Sequence, residues 1–217
     1  MSTSSMKTNL QSELGASLVR LAEECRGRDV TLGELSERTG GRSPLLLVFL
    51  LALPFCQPVT LPGVSTPFGL LLFVLGWQMA RGRELSVPER FQKTVIPKVF
   101  FPLLLSGAGW LLRWLEKHLR RRDAAFAEAA ATRRFCGVNI AICALLLSLP
   151  LPIPFSNVFP ALPVAIAAAA LLESDGKVLW LAAVAAVINL FFWAGWVFLI
   201  CRFGWQAVES FHAWLWA

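Results

Sequence analysis

Gln57, Thr60, Ser65, Thr66, Ser156 and Asn157 are hydrogen-bonding side chains within two stretches free of Asp, Glu, Lys and Arg, residues 44–80 and 135–172. Such groups carry no charge. They can hold a ligand by neutral hydrogen bonds, but they do not shuttle protons. Prolines bracket them: Pro54, Pro58 and Pro67 in the first stretch, Pro150, Pro154 and Pro163 in the second. The two sets align. Leu51, Leu53, Pro54, Pro58, Thr60 and Pro67 match Leu147, Leu149, Pro150, Pro154, Ser156 and Pro163. Leu/Pro-rich segments can resemble one another by chance, but here spacing and flanks both match, which favours an internal repeat. Apolar segments interrupted by Pro at matching places in two halves point to broken helices around a midplane site.

The chemistry this permits is anion binding. Thr66 before Pro67 reads as an N-cap followed by Pro at the first helical position. Phe159 with Pro160, and Leu162 with Pro163, offer a similar start. Both half-helices would then point their N-termini at the membrane centre, each with about half a positive charge. The competing view is that these polar groups only satisfy each other's backbone. Catalysis is not expected. It needs an activated nucleophile or an acid/base pair, and the apolar stretches carry no titratable Asp, Glu, Lys, Arg or His. His118 and His212 are single and flank the apolar segments. Glu173 and Asp175, two residues apart, would diverge on a helix, and Asp175 with Gly176 reads as a turn. Cysteines at 25, 56, 136, 143 and 201 form no CxxC and no metal spacing. They read as small buried hydrophobes, and no metal or cofactor is expected.

The 217 residues are 56% hydrophobic and 16% charged, with a mean hydropathy of +0.61. That is too apolar for an ordinary soluble domain. The expected fold is an all-α integral membrane protein. It has two pseudo-symmetric, inverted-repeat-like hairpins of broken or re-entrant helix, a C-terminal spanning helix and N-terminal amphipathic helices. A polar segment, 1–42, reads as cytoplasmic or interfacial and without a signal peptide. The membrane domain is 43–217, with repeat 1 at about 43–98 and repeat 2 at about 133–203. A net charge of +6 suits basic flanks at a cytoplasmic leaflet. Nucleic acid is not an expected partner. Membrane lipids are, and so is a second copy of the chain, since a body this small has few helices with which to enclose polar tips.

In chain order, residues 9–26 read as an amphipathic helix, with Leu10, Leu14, Leu18, Leu21 and Cys25 on one face. Thr31 and Glu34 match a capping box. Residues 45–53 are too short to span, and Pro54 ends them. Residues 57–66 form an irregular tip and 67–80 return. Two complete tilted spanning helices are the competing reading. The stretch 81–98 is basic. Residues 99–112 are apolar and flanked by basic clusters, which argues against a crossing. An inverted repeat needs an odd number of crossings between its halves. Insertion in both orientations, with antiparallel pairing, would reconcile the two. The second hairpin enters over 135–149 and leaves by 172. Residues 178–201 are the clearest spanning helix.

The Pro motifs also carry a resemblance. With Val30 to Leu35, Gly41 to Ser43, Leu61 to Ser65, Gln78, Met79, Gly82, Arg83, Asn157, Pro160, Ala161, Asp175 and Gly176, the sequence resembles the exopolysaccharide synthesis ExoD family of bacterial inner-membrane proteins. The resemblance spans about residues 14–200. Ser86, Val87 and Pro88 stand where the family has an aromatic residue before Leu-Pro. The resemblance implies a multi-pass inner-membrane protein with a part in exopolysaccharide synthesis or export, and it supplies no catalytic residue. Combined with the tips, it suggests a small transporter, or a translocator of an anionic solute, an ion or a polyprenyl-phosphate. The alternative is a non-transporting membrane scaffold for a polysaccharide assembly complex.

Overall fold

Residue type decides where the helices stop. The computed structural model describes residues 30–34, 44–57, 65–96, 118–119, 122–149 and 155–215, which are mostly helical. Strand β1 (Val30–Thr31) comes first. Helix α1 (Pro44–Ala52) is an unbroken apolar run. Pro54 has no N–H to extend the ladder, and the chain tightens into a 3-10 turn, Leu53–Cys56. Then follow α2 (Ser65–Ala80), α3 (Glu89–Gln92) and β2 (Val95–Ile96), which pairs antiparallel with β1. Next are α4 (Ala124–Glu128), α5 (Ala130–Leu147), α6 (Val158–Leu172) and α7 (Gly176–Leu215). Gly204, at φ 73°, kinks α7. The expected amphipathic helix at 9–26 and all of 97–117 lie outside the described residues.

The caps follow the local chemistry. The Glu34 N–H donates to Thr31 Oγ1 at 3.2 Å, the first half of the expected capping box. Helix α2 ends in a Schellman motif with Gly82 in the left-handed region at φ 67°. There the Gly82 N–H donates to the Met79 carbonyl and the Arg83 N–H to the Gln78 carbonyl, both at 2.9 Å. Helix α6 ends in the same way around Ser174, φ 52°, with the Asp175 N–H donating to the Ala170 carbonyl at 2.8 Å. Asp175 then starts the next helix. Its Oδ1 accepts from the Lys177 and Val178 N–H groups at 3.0 and 3.2 Å. The turn expected at 175–176 is therefore a stop and a start fused, and Asp175 is buried in it. Asp175→Ala should cost about 1–2 kcal/mol, read as a lower thermal midpoint. An unchanged midpoint would deny the cap its role.

The proline readings need two corrections. Thr66 is not an N-cap, because Ser65 already opens α2 and Pro67 is its third residue. A first-turn Pro is still tolerated, since its missing N–H would have no partner there. Nor do Pro160 or Pro163 begin α6. The helix starts at Val158, and Pro163 lies inside it.

Packing is ordered by small residues. Helix α6 is Ala-rich and buried from Pro160 to Leu171, apart from Leu162. It is the centre, packed by α1, the 3-10 turn, α5 and α7. Helix α2 packs mainly on α5, along a seam where the backbones nearly touch. A Cβ on Gly69 would lie 2.8 Å from Ser148 N, and one on Gly76 would lie 2.7 Å from Ala141 N. A Cβ on Gly137 would collide with Ala80 N. Close approach through Gly, Ala and Ser is how helices associate where lipid removes the hydrophobic drive.

The seam also fixes direction. Residues 69, 76 and 80 of α2 meet 148, 141 and 137 of α5, so the two helices are antiparallel. The end of α2 therefore lies beside the start of α5. The start of α2 and the end of α5 lie together at the opposite end. An inverted repeat would set α2 and α5 parallel, with the hairpins entering from opposite sides. Here both hairpins open the same way, and the expected inversion is not what the packing shows.

Two helices are long and apolar enough to cross a membrane, Ala130–Leu147 and Gly176–Arg202. The outward side of α7 is apolar: Trp180, Val184, Ile188, Phe191 and Phe198 are exposed, Phe191 by 73%. A face of this kind marks an interaction with lipid or protein rather than with water.

Candidate functional site

At the tip end the structure assembles part of the set expected from sequence. Ser65, Ser156 and Asn157 are all buried, and Gln57 and Thr66 are half-buried. Thr60, Pro58, Pro150 and Pro154 lie outside the described residues. Asn157 holds the N-cap position of α6, but its side chain does not cap the helix. Its carbonyl accepts from the Ala161 N–H at 3.1 Å. Ser148 closes α5, its Oγ donating to the Leu145 carbonyl at 2.7 Å. Because Gly69 abuts Ser148, the first turn of α2 and the last turn of α5 are at one level. The N-terminus of α2 thus lies at the end where α5 stops, and α6 begins at Val158. Aromatic rings pack around it: Phe55 on Phe68 at 6.0 Å, and Phe159 stacked on Phe192 at 4.0 Å. Among the described residues no side-chain hydrogen bond joins Ser65, Ser156 and Asn157, so their polar capacity is not spent on one another.

Between α5 and α7 lies a polar chain the residue spacing did not reveal. The Asn189 Nδ2 donates to Cys143 Sγ, and the Cys143 thiol to Asn139 Oδ1, each at 3.5 Å. Asn189 is fully buried. Its Oδ1 and the nearby Trp193 Nε1 have no partner among the described residues. A lone Asn in the uncharged run 178–201 was the available signal.

The opposite end holds the larger surprise. A cavity of about 730 Å³ opens between α1, α2, α5 and the loop after α2. Arg83, Arg133 and Arg134 line it, with Glu84 as its one carboxylate. Leu47, Leu75 and Met79 line it deeper in. The loop is pinned. Gln78 Oε1 accepts from the Ser86 N–H at 2.8 Å, and its Nε2 donates to the Ser86 carbonyl at 3.1 Å. At the end of α6, burial pushes the Glu173 carboxyl above its usual range. Among the described residues no group of three or more His, Cys, Asp or Glu could hold a metal ion.

Comparison with known proteins agrees with the motifs. The family described as exopolysaccharide synthesis, ExoD, matches residues 14–195. Protein ExoD of Rhizobium meliloti is 33% identical over 168 residues, 76% of this chain and 70% of the relative. An uncharacterized protein of Synechocystis sp. is 30% identical over 158 residues, 72% of this chain and 73% of that protein. No solved structure matches. The paired Pro hairpins, the Gly82 and Asp175 turns and a match over most of its length together place this chain in the ExoD family of exopolysaccharide synthesis.

Proposed function

We propose that this chain is a multi-pass bacterial inner-membrane protein acting in exopolysaccharide synthesis or export, as a small translocator of an anionic solute, an ion or a lipid-linked phosphate. The observation that carries this is the tip end. There the N-terminus of α2 lies level with the end of α5, and Ser65, Ser156 and Asn157, at or just before the starts of α2 and α6, are buried and uncharged. Amides and dipoles would be the cationic elements of such a site. Binding without a fixed charge is weak enough to release, as conduction or flipping requires.

Helix length supports a tip below the membrane surface. The 16 residues of α2 rise about 24 Å, short of a hydrocarbon core of about 30 Å. The 27-residue span of α7, Gly176–Arg202, rises about 40 Å, enough to cross fully. Arg81, Arg83, Arg122, Arg133, Arg134 and Lys177 flank the end away from the tips, which the positive-inside rule assigns to the cytoplasm. The site then lies in the outer leaflet rather than at the midplane. Because one chain already buries Ser65, Ser156 and Asn157, shielding those side chains does not call for a second copy. A homodimer would have to rest on another surface.

The scaffold alternative is separated by substitution at the tips. Asn157→Ala and Thr60→Ala should each cut exopolysaccharide output severalfold while leaving the amount and melting midpoint of the membrane protein unchanged. If output is unaffected by both, the translocator reading fails and the scaffold gains.

A further inference from the structure

The cavity at the cytoplasmic end is a second site, distinct from the tips. Three guanidinium-bearing side chains line it against one carboxylate, and among the described residues no ion pair neutralises Arg83, Arg133 or Arg134. All three are exposed to solvent, so their repulsion is screened, and an anion entering the concavity would meet three guanidinium groups at once. Its volume of about 730 Å³ falls in the range of about 300–1,000 Å³ usual for small-molecule sites.

The geometry is held rather than incidental. Gln78 clasps both backbone groups of Ser86, and the Schellman turn fixes Gly82 between them. A Cβ on Gly82 would stand 3.3 Å from Arg134 Nε and Nη2. Glycine there lets the guanidinium lie close to the loop backbone. Arg83 and Arg134 thus come from segments about fifty residues apart in sequence, yet both line one cavity. Planar guanidinium forks match phosphate oxygens bidentately. Below the rim the lining is apolar, with Leu47 and Leu75 buried and from different helices. A basic rim over an apolar floor fits an amphiphile better than a bare ion.

We infer that this cavity binds a phosphate group, and that its preferred source is the headgroup of an anionic lipid whose first methylenes enter the apolar floor. The amphiphile source rests on the membrane reading above. Binding itself does not require transport, so a failed translocation assay would leave this site standing.

The test uses the purified full chain in mild detergent, with phosphatidic acid as probe and native mass spectrometry as readout. Wild-type protein should retain the lipid. Arg83→Gln with Arg134→Gln should weaken retention at least tenfold, because a lost charge-assisted bond corresponds to about a tenfold change or more. Arg134→Lys should recover part of it, and Glu84→Gln should strengthen it. Inorganic phosphate is the second arm. If it displaces the lipid at low millimolar concentration, the site takes the bare anion, and the shared phosphate chemistry stands. If it does not, the lipid headgroup is the source. Equal retention by wild type and the double variant, with both folded by melting midpoint, overturns the proposal. Should the double variant not fold, Glu84→Gln decides alone, and unchanged retention in it also overturns the site.

Discussion

Gly137→Leu should leave almost no folded protein. At Gly137 a side chain would begin inside the neighbouring helix, against Ala80 N, with the Gly76 carbonyl oxygen and Met79 C both at 2.8 Å. All three are backbone atoms, so no rotamer change can make room. Helices α2 and α5 would have to separate along the seam that also joins Gly69 to Ser148 and Gly76 to Ala141. Overpacking in ordinary cores costs about 1–3 kcal/mol and occasionally more. Here the displaced unit is a whole helix pair, and the upper end of that range or beyond applies. Even Gly137→Ala should lower the melting midpoint clearly. Gly195→Ala is the control: nothing lies within 4 Å of the new Cβ, and helix propensity favours Ala by about 1 kcal/mol. Yield of monodisperse protein after detergent extraction, with a thermal melt, reads the outcome. A Gly137→Leu protein with parental yield and midpoint would mean that the seam is not where the helices meet.

The second large effect is one of sidedness. In a background freed of native cysteines, Glu84→Cys and Lys177→Cys should react with a membrane-impermeant maleimide from the same face, the cytoplasmic one. Arg202→Cys should react only from the other. The antiparallel α2–α5 seam puts residues 80 and 137 at one end. The Asp175 turn keeps Lys177 with the end of α6, and α7 carries Arg202 about 40 Å away over 27 residues. Basic side chains crowd the first end, which under the positive-inside rule would face the cytoplasm. If Glu84→Cys and Lys177→Cys label from opposite faces, the hairpins are inverted after all.

This result bears on what was legible in the residues. Helix extents, the break at Pro54, the Thr31 cap, the Asp175 turn and the long final helix were readable, because each rests on local chemistry: a missing N–H, a short acceptor side chain, an unbroken apolar run. The direction of the second hairpin was not. A repeat states that two halves are alike. It does not say whether the axis relating them runs across the helices or along them, and Pro54 and Pro150 match in either case. The clash between an odd crossing count and the basic flanks of 99–112 was the clue. The antiparallel packing of α2 on α5 is the answer to it, and it could not be read from the residues. Pro163 was misplaced for a different reason, because an apolar Ala-rich helix with buried neighbours can absorb a Pro that an isolated helix would not. The arginine cavity was invisible because Arg83 and Arg133 meet only through the fold. Of the polar tip residues, Ser65, Ser156 and Asn157 are buried, and their binding role, like that of Thr60, is for the substitutions to decide.

The glycine seam also sets a timetable. Gly76 finds its partner Ala141 only after roughly sixty more residues have left the ribosome, which at about 5–20 residues per second takes roughly 3–13 s. For that interval α2 is already made while the backbone face meant for α5 is bare. Nascent chains of this protein therefore depend on whatever holds a half-built helix pair at the insertion machinery. A synonymous slowing of translation between residues 80 and 137 should lower its yield without changing a single contact in the finished molecule.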